Sequence, residues 1–171
     1  MINAYLINKN IFTNSSEAIN LQNKSNFGEK VEDKIQYSIY ETMFLIEDKK
    51  LEILSNKSKK IEKKELEKIF VKIDKKFLEK YTVFKDLRKK GYTVKSALKF
   101  GADFRVYEKG SSPDEAHAKW IVFVNHETEK NSWQEFCAKN RIANSTKKRI
   151  LLAIVDEEAQ IIYYEINWLK P

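Results

Sequence analysis

The chain has 171 residues, 42% of them hydrophobic and 12% aromatic, which is enough for one generous domain or two small ones with a buried core. Lysine and arginine outnumber aspartate and glutamate by 32 to 25, a formal charge of +7 that points to a polyanionic partner, either nucleic acid or an anionic membrane surface. Cys137 is the only cysteine, so no internal disulfide is possible; no Cys/His set has zinc-ligand spacing, and no apolar run approaches the roughly 18 residues of a membrane helix.

The basic surplus is not segregated: residues 1–80 carry 16 basic and 13 acidic side chains, and 81–171 carry 16 and 12, so a polyanion site has to be assembled by folding. The opening "MINAYLINKNIF" lacks a basic segment followed by an apolar stretch, and the expectation is a soluble, cytoplasmic protein with no membrane association.

In chain order, "AYLI" and "NIFTN" read as short strands around an Asn-Lys turn. "LQNKSNFGEKVEDK" is polar, without an apolar period, and reads as loop. From Ile35 the apolar residues Ile35, Ile39, Met43 and Ile46, with Tyr40 and Phe44, fall at helical spacing. "LEIL" at 51–54 reads as a strand, and Ser58 is placed to cap the helix that follows. Leu66, Ile69, Phe70 and Ile73 mark that helix; Phe77, Leu78, Tyr81, Phe84 and Leu87 mark the next, with Gly91 ending it in a left-handed cap. The lysines opposite these stripes read as a solvated face.

Beyond Gly91 the texture is β. "YTVKSALKFGADFRVYEKG" reads as strand, link and strand, and "KWIVFVN" at 119–125 as another. Ser132 is placed to cap a helix running to about Asn144, and "KRILLAIVD" and "QIIYYEINWL" read as two strands joined by the acidic turn "DEEA". The expected fold is α/β (α+β): a small N-terminal α/β domain over 1–80, and a C-terminal domain over 81–171 with a central mixed sheet flanked by helices.

Three reactive side chains fall at element edges in the second half. Tyr107 ends a strand before the loop "EKGSSPDE", His117 lies at the far end of that loop, and Lys148 lies where "KKR" enters the most apolar strand. Each alone reads first as a packing tyrosine, a solvated histidine and a gatekeeper lysine. Together they suit RNA cleavage by the ribose 2′-hydroxyl, which needs a base for that proton, an acid for the departing 5′-oxygen and a cation beside the phosphorane. An ordinary tyrosine, with a pKa near 10, is ionised in about one molecule in a thousand at neutral pH, so nearby cations such as Arg105, Lys109 or Lys148 would have to favour the phenolate. A metal-dependent nuclease would need a carboxylate two residues before a lysine downstream of "PD" at 113–114, and no lysine after Asp114 has one.

The segment "YTVFKDLRKKGYTVKSALKFGADFRVYEKG" (81–110), followed in order by "EAHAKW", "RIANSTKKRILLAIVD" and "IIYYEINWLKP", resembles the catalytic domain of archaeal tRNA-splicing endonucleases across essentially all of 81–171. Over 1–80 the resemblance rests on element order and "ETMFLIEDKKLEI". It implies a restriction-endonuclease-like nuclease domain that needs no cofactor and no metal. Tyr107 matches the family's general base, His117 its general acid, and Lys148 its transition-state lysine, chosen over Lys147 by counting back from "AIVD". The implied products are a 2′,3′-cyclic phosphate and a 5′-hydroxyl, and the implied substrate is precursor tRNA folded as a bulge–helix–bulge.

Arg141 matches an arginine that clamps a bulged base. The acidic turn Asp156, Glu157 and Glu158 matches a loop that docks on a neighbouring subunit. Chains of this length in the family form homotetramers, and a heterotetramer with a second subunit is the other assembly considered. Asn144 stands where the family commonly has histidine. The competing readings are a non-catalytic RNA-binding or scaffolding subunit and a metal-dependent nuclease.

Overall fold

Asn8 and Lys9 both take positive φ, 48° and 69°, and form a two-residue hairpin turn between β1 (Ile2–Ile7) and β2 (Asn10–Thr13). This is the turn expected from the sequence, and it starts the first of two sheets. The computed structural model describes residues 1–171, which divide into two units, Met1–Leu78 and Glu79–Pro171.

The first unit is a five-stranded mixed sheet in the order β3-β4-β2-β1-β5, comprising also β3 (Glu29–Val31), β4 (Lys34–Tyr37) and β5 (Leu51–Leu54). Helices α1 (Ser16–Ser25), α2 (Ile39–Glu47) and α3 (Lys63–Ile73) accompany it. Its core joins Ile2, Ala4, Ile11, Ile35 and Ile53 of the strands to Met43, Leu45, Leu66 and Phe70 of the helices, and Phe70 meets Phe77 at 5.3 Å between ring centroids.

Three expectations fail in this unit. The polar stretch 21–34 is not loop: it holds the end of α1 and the β3–β4 hairpin. Helix α1 buries only Ala18, so it leaves almost no apolar period; it is held instead by Ser15, whose hydroxyl accepts the Ala18 N–H at 3.2 Å. The hairpin turns on Glu32 at φ 54°, without the glycine that usually announces such a turn. Ile35 lies in β4, not in a helix; its spacing with Ile39 is accidental, because Ser38 caps α2 in between. Ser58 caps nothing: it takes φ 56° inside a turn closed by Ser58 N–H to Ser55 C=O at 2.8 Å, and α3 starts after Glu62 with no side-chain cap.

Helix α4 (Phe77–Lys89) runs across the boundary between the units. Leu78 is exposed and stands outside the stripe expected of it. Gly91, at φ 91°, closes the helix with N–H bonds from Gly91 to Arg88 C=O and from Tyr92 to Leu87 C=O, the left-handed stop expected there.

The second unit is a five-stranded mixed sheet in the order β10-β9-β8-β7-β6, made of β6 (Thr93–Ser96), β7 (Phe104–Tyr107), β8 (Trp120–His126), β9 (Arg149–Val155) and β10 (Ile161–Ile166). A 3-10 turn, Leu98–Phe100, joins β6 to β7. Helix α5 (Trp133–Ser145) joins the parallel neighbours β8 and β9, and a capping box between Ser132 and Glu135 begins it as the sequence predicts. "WIVFV" in β8 is buried on both faces, as a central strand should be. Ile121, Phe123 and Ile150 pack on one face with Ala143 of α5, together with Ala97 and Ala102. Phe104 on the other face meets Phe84 of α4 at 5.8 Å. No helix is long and apolar enough to cross a membrane.

Candidate active site

Strand direction decides which residues meet. β7 runs antiparallel to β8, so the last residue of β7 lies beside the first of β8; β9 runs parallel to β8, so their first residues lie side by side. The register makes this specific, with Val106 opposite Trp120 and Trp120 opposite Arg149. Lys119 N–H extends the first ladder to Val106 C=O at 2.8 Å, and Arg149 N–H extends the second to Lys119 C=O at 3.2 Å. Tyr107, the chain leaving His117, and Lys148 therefore share one end of three adjacent strands. Tyr107 and Lys148 lie two strand spacings apart, about 10 Å.

They also share a face. Arg105 pairs with Ile121, which belongs to the α5-side core, and Tyr107 lies two residues further along the same strand. Lys148 lies two residues before Ile150 of that core, and its Nζ sits 5.8 Å from the centroid of Phe100, which packs on it. Tyr107 is buried at 4% exposure.

Lys148 is set by the end of α5. Lys147 takes φ 54° and stops the helix; its N–H bonds Asn144 C=O at 3.0 Å, and the Lys148 N–H bonds Ala143 C=O at 2.8 Å. The two lysines thus differ in kind: Lys147 is an exposed cap, while Lys148 is half-buried with its ammonium donating to Thr146 C=O at 2.9 Å. Two further ammonium protons remain for a ligand.

The loop from Glu108 to Lys119 is short-range ordered. Gly110, at φ 77°, supplies the positive φ of a turn closed by Ser111 N–H to Glu108 C=O at 3.0 Å. Ser112 C=O then accepts from Glu115 and Ala116, one helical turn that leads into His117. The stems are tied by Lys119 Nζ to Glu108 Oε1 at 2.6 Å and by Thr93 Oγ1 to Ser111 C=O at 3.4 Å. His117 itself is exposed and its ring has no hydrogen bond in the fold, so it is open to a substrate atom.

Of the cations named beside Tyr107, Arg105 and Lys148 share its face, whereas Lys109 sits over the Tyr92 ring at 5.1 Å. The nearby carboxylates are engaged: Glu108 by Lys119, and Glu165 by Trp120 Nε1 at 2.7 Å and Arg149 Nη1 at 2.9 Å. The indole hydrogen bond, with the Arg149 guanidinium beside it, holds the Glu165 carboxyl below the usual carboxylate range.

Arg141 lies on exposed α5, in a groove of about 350 Å³ lined also by Asn140, Asn144, Asn167 and Trp168. Sequence reading missed Trp168: it is 60% exposed and 27 residues from Arg141 along the chain, so no local pattern connects them. A guanidinium, an indole and three amides are the groups that stack on and hydrogen-bond an unpaired base.

Asp156, Glu157 and Glu158 form the β9–β10 turn at the opposite end of β9, about 26 Å from Lys148 by strand rise. Asp156 Oδ1 accepts the N–H groups of Glu158 at 2.9 Å and Gln160 at 2.8 Å, so it builds the turn while Glu157 and Glu158 stay exposed.

The sequence pattern of the tRNA intron endonuclease catalytic C-terminal domain matches residues 77–163, and that of the N-terminal domain of the same enzymes matches residues 2–67. Among curated proteins, a tRNA-splicing endonuclease of Thermococcus kodakarensis is 41% identical over 171 residues, covering 99% of each chain. One of Pyrococcus abyssi is 37% identical over 99% of this chain and 98% of its own. One of Nanoarchaeum equitans is 39% identical over 85% of this chain and 97% of its own.

Proposed function

The chain belongs to the tRNA intron endonuclease family, and on that premise we propose that it excises introns from precursor tRNA, cutting at bulge–helix–bulge junctions without a metal ion. The observation that carries this reading is the convergence of Tyr107, His117 and Lys148 on one end of β7, β8 and β9.

Tyr107 Oη takes the proton of the ribose 2′-hydroxyl next to the scissile phosphate. The 2′-oxygen attacks phosphorus, the P–O5′ bond breaks, and His117 delivers a proton to the departing 5′-oxygen. Lys148 Nζ faces the non-bridging oxygens as their charge grows in the phosphorane. The products are a 2′,3′-cyclic phosphate and a 5′-hydroxyl, with electrons and protons balanced and no metal called on.

Arg141 holds a bulged base in the groove it shares with Trp168, which suits RNA read by splayed-out bases rather than through its deep major groove. Two cuts at a fixed separation call for two sites held in a symmetric assembly, and a homotetramer provides them. The turn Asp156–Glu158 is its docking element, with Asp156 shaping the turn and Glu157 and Glu158 left to meet a basic surface.

The test is cleavage of an intron-containing precursor tRNA in excess EDTA, with the product ends identified and the assembly mass measured in the same buffer. Intron release with cyclic-phosphate ends from a single-chain tetramer supports the reading. Binding without cutting until a second chain is added points to a heterotetramer, and cutting only when magnesium is restored overturns the mechanism.

A further inference from the structure

Trp120, Arg149 and Glu165 leave the sheet on the face opposite Tyr107 and Lys148, and a run of polar contacts links them to Lys119 and Glu108. Glu108 pairs with Lys119 at 2.6 Å, and the Lys119 ammonium lies 4.4 Å from the centroid of the Trp120 ring. The Trp120 indole N–H bonds Glu165 Oε2 at 2.7 Å, and Glu165 Oε1 accepts from Arg149 at 2.9 Å. Each proposed catalytic residue has a neighbour in this run. Glu108 follows Tyr107, Arg149 follows Lys148, and Lys119 and Trp120 follow His117 by two and three residues.

Glu165 is the member that bridges strands. It lies in β10, yet its two oxygens reach the first residue of β8 and the first residue of β9, which are themselves opposite one another. Trp120 is 9% exposed and its ring is held edge-on by Tyr92 at 5.4 Å, so the Glu165 carboxylate bonds an indole that is itself fixed in place. Lys148 and His117 both lie just before strands whose first residues hang from this carboxylate. A lateral slip of either strand end is transmitted to them directly.

We infer that Glu165 is a positioning residue for the cleavage step: by tying the starts of β8 and β9 to β10, its carboxylate sets the spacing between the side chain that protonates the leaving oxygen and the one that faces the phosphorane. The inference rests on the catalytic roles proposed above. It goes beyond them, because Glu165 lies on the far face and touches no substrate.

The test is single-turnover cleavage of the precursor tRNA at saturating enzyme, beside a separate measurement of RNA affinity, at a temperature where circular dichroism shows each variant folded. Glu165→Ala is expected to slow the step by about 10- to 100-fold, the scale of an ångström-sized misplacement, with affinity unchanged within about 2-fold. Glu165→Gln keeps an acceptor for the indole and is expected to lose less. Trp120→Phe removes the same bond from its other end, so the double variant with Glu165→Ala is expected to be no slower than Glu165→Ala alone. Should Glu165→Ala not fold, Glu165→Gln and Trp120→Phe carry the test. An unchanged saturating rate, a loss confined to affinity, or losses that multiply in the double variant would each overturn the inference. A wild type that fails to cut in EDTA would instead overturn the catalytic reading on which it rests.

Discussion

Both units are built on a five-stranded mixed sheet with one parallel pair, β1 with β5 in the first and β8 with β9 in the second. The pairs are closed differently. Between β1 and β5 the chain makes three strands and two helices before returning, whereas between β8 and β9 it makes α5 alone. The short crossover ends in a lysine forced into the left-handed region, which delivers the half-buried Lys148 to the strand start. The long polar loop between β7 and β8 delivers His117 to the same end. The first sheet repeats the lysine device, since Lys49 at φ 56° ends α2 and delivers Lys50 to the start of β5, but that ammonium pairs with Asp48 at 3.0 Å and no histidine lies in the unit. The comparison teaches that the chemistry here comes from the loop and the side chains brought to one strand end, not from the crossover's exit or the sheet architecture that both units share.

Substitutions can break this comparison. The largest effect is expected in the second sheet: His117→Ala should slow the chemical step by about 10²- to 10⁴-fold with no loss of folded protein, measured as single-turnover cleavage beside thermal melting. In the first sheet the damage should fall on stability. Gly28 takes φ 78°, and a Cβ there would clash with Ile35 Cγ2; Gly28→Ala should cost roughly 1–3 kcal/mol in chemical denaturation.

A finer contrast uses the same cap in both units. Ser38 and Ser132 each open a capping box, but Glu41 in the first is 3% exposed and its other oxygen holds the Gly28 N–H at 2.9 Å, while the Ser132 box is on the surface. Ser38→Ala should cost about 2 kcal/mol and Ser132→Ala about 1 kcal/mol or less, read from denaturant midpoints.

The smallest effect is alkaline. Burial, aided by the Glu41 carboxylate, pushes the Tyr37 phenol up; burial, aided by its hydrogen bond to Asp86 at 2.6 Å, pushes Tyr163 up as well. A phenol kept neutral by the fold stabilises fully below the ordinary tyrosine value near 10, and that stability is lost as pH rises above it. Melting temperature should therefore fall above about pH 10, and less steeply in Tyr37→Phe and Tyr163→Phe. At neutral pH only Tyr163→Phe should cost stability, because the Tyr37 hydroxyl has no hydrogen-bond partner to lose.

What was legible in the sequence was what local chemistry announces. Asn8-Lys9, Gly91 and Ser132 each mark an element boundary with their own backbone or side-chain requirement, and the apolar strands β8 and β9 declare themselves by length and composition. Helix α1 and the β3–β4 hairpin were hidden because one buries a single alanine and the other turns on a glutamate. Tyr107, His117 and Lys148 were ambiguous singly and joined only by the chemistry they could share, until a resemblance gave each a role; strand direction and register now bring their positions to one sheet end. Trp168 beside Arg141 and Glu165 beneath Trp120 could not be read, since such contacts depend on how elements far apart in the chain pack.

The central claim is that His117 protonates the departing 5′-oxygen. The direct measurement replaces that oxygen by sulfur at the scissile phosphate, giving a leaving group that departs as a thiolate without needing a proton. His117→Ala should then cut the sulfur substrate at nearly the wild-type rate while Lys148→Met remains slow on it. A His117→Ala variant as impaired on the sulfur substrate as on the natural one would contradict the account.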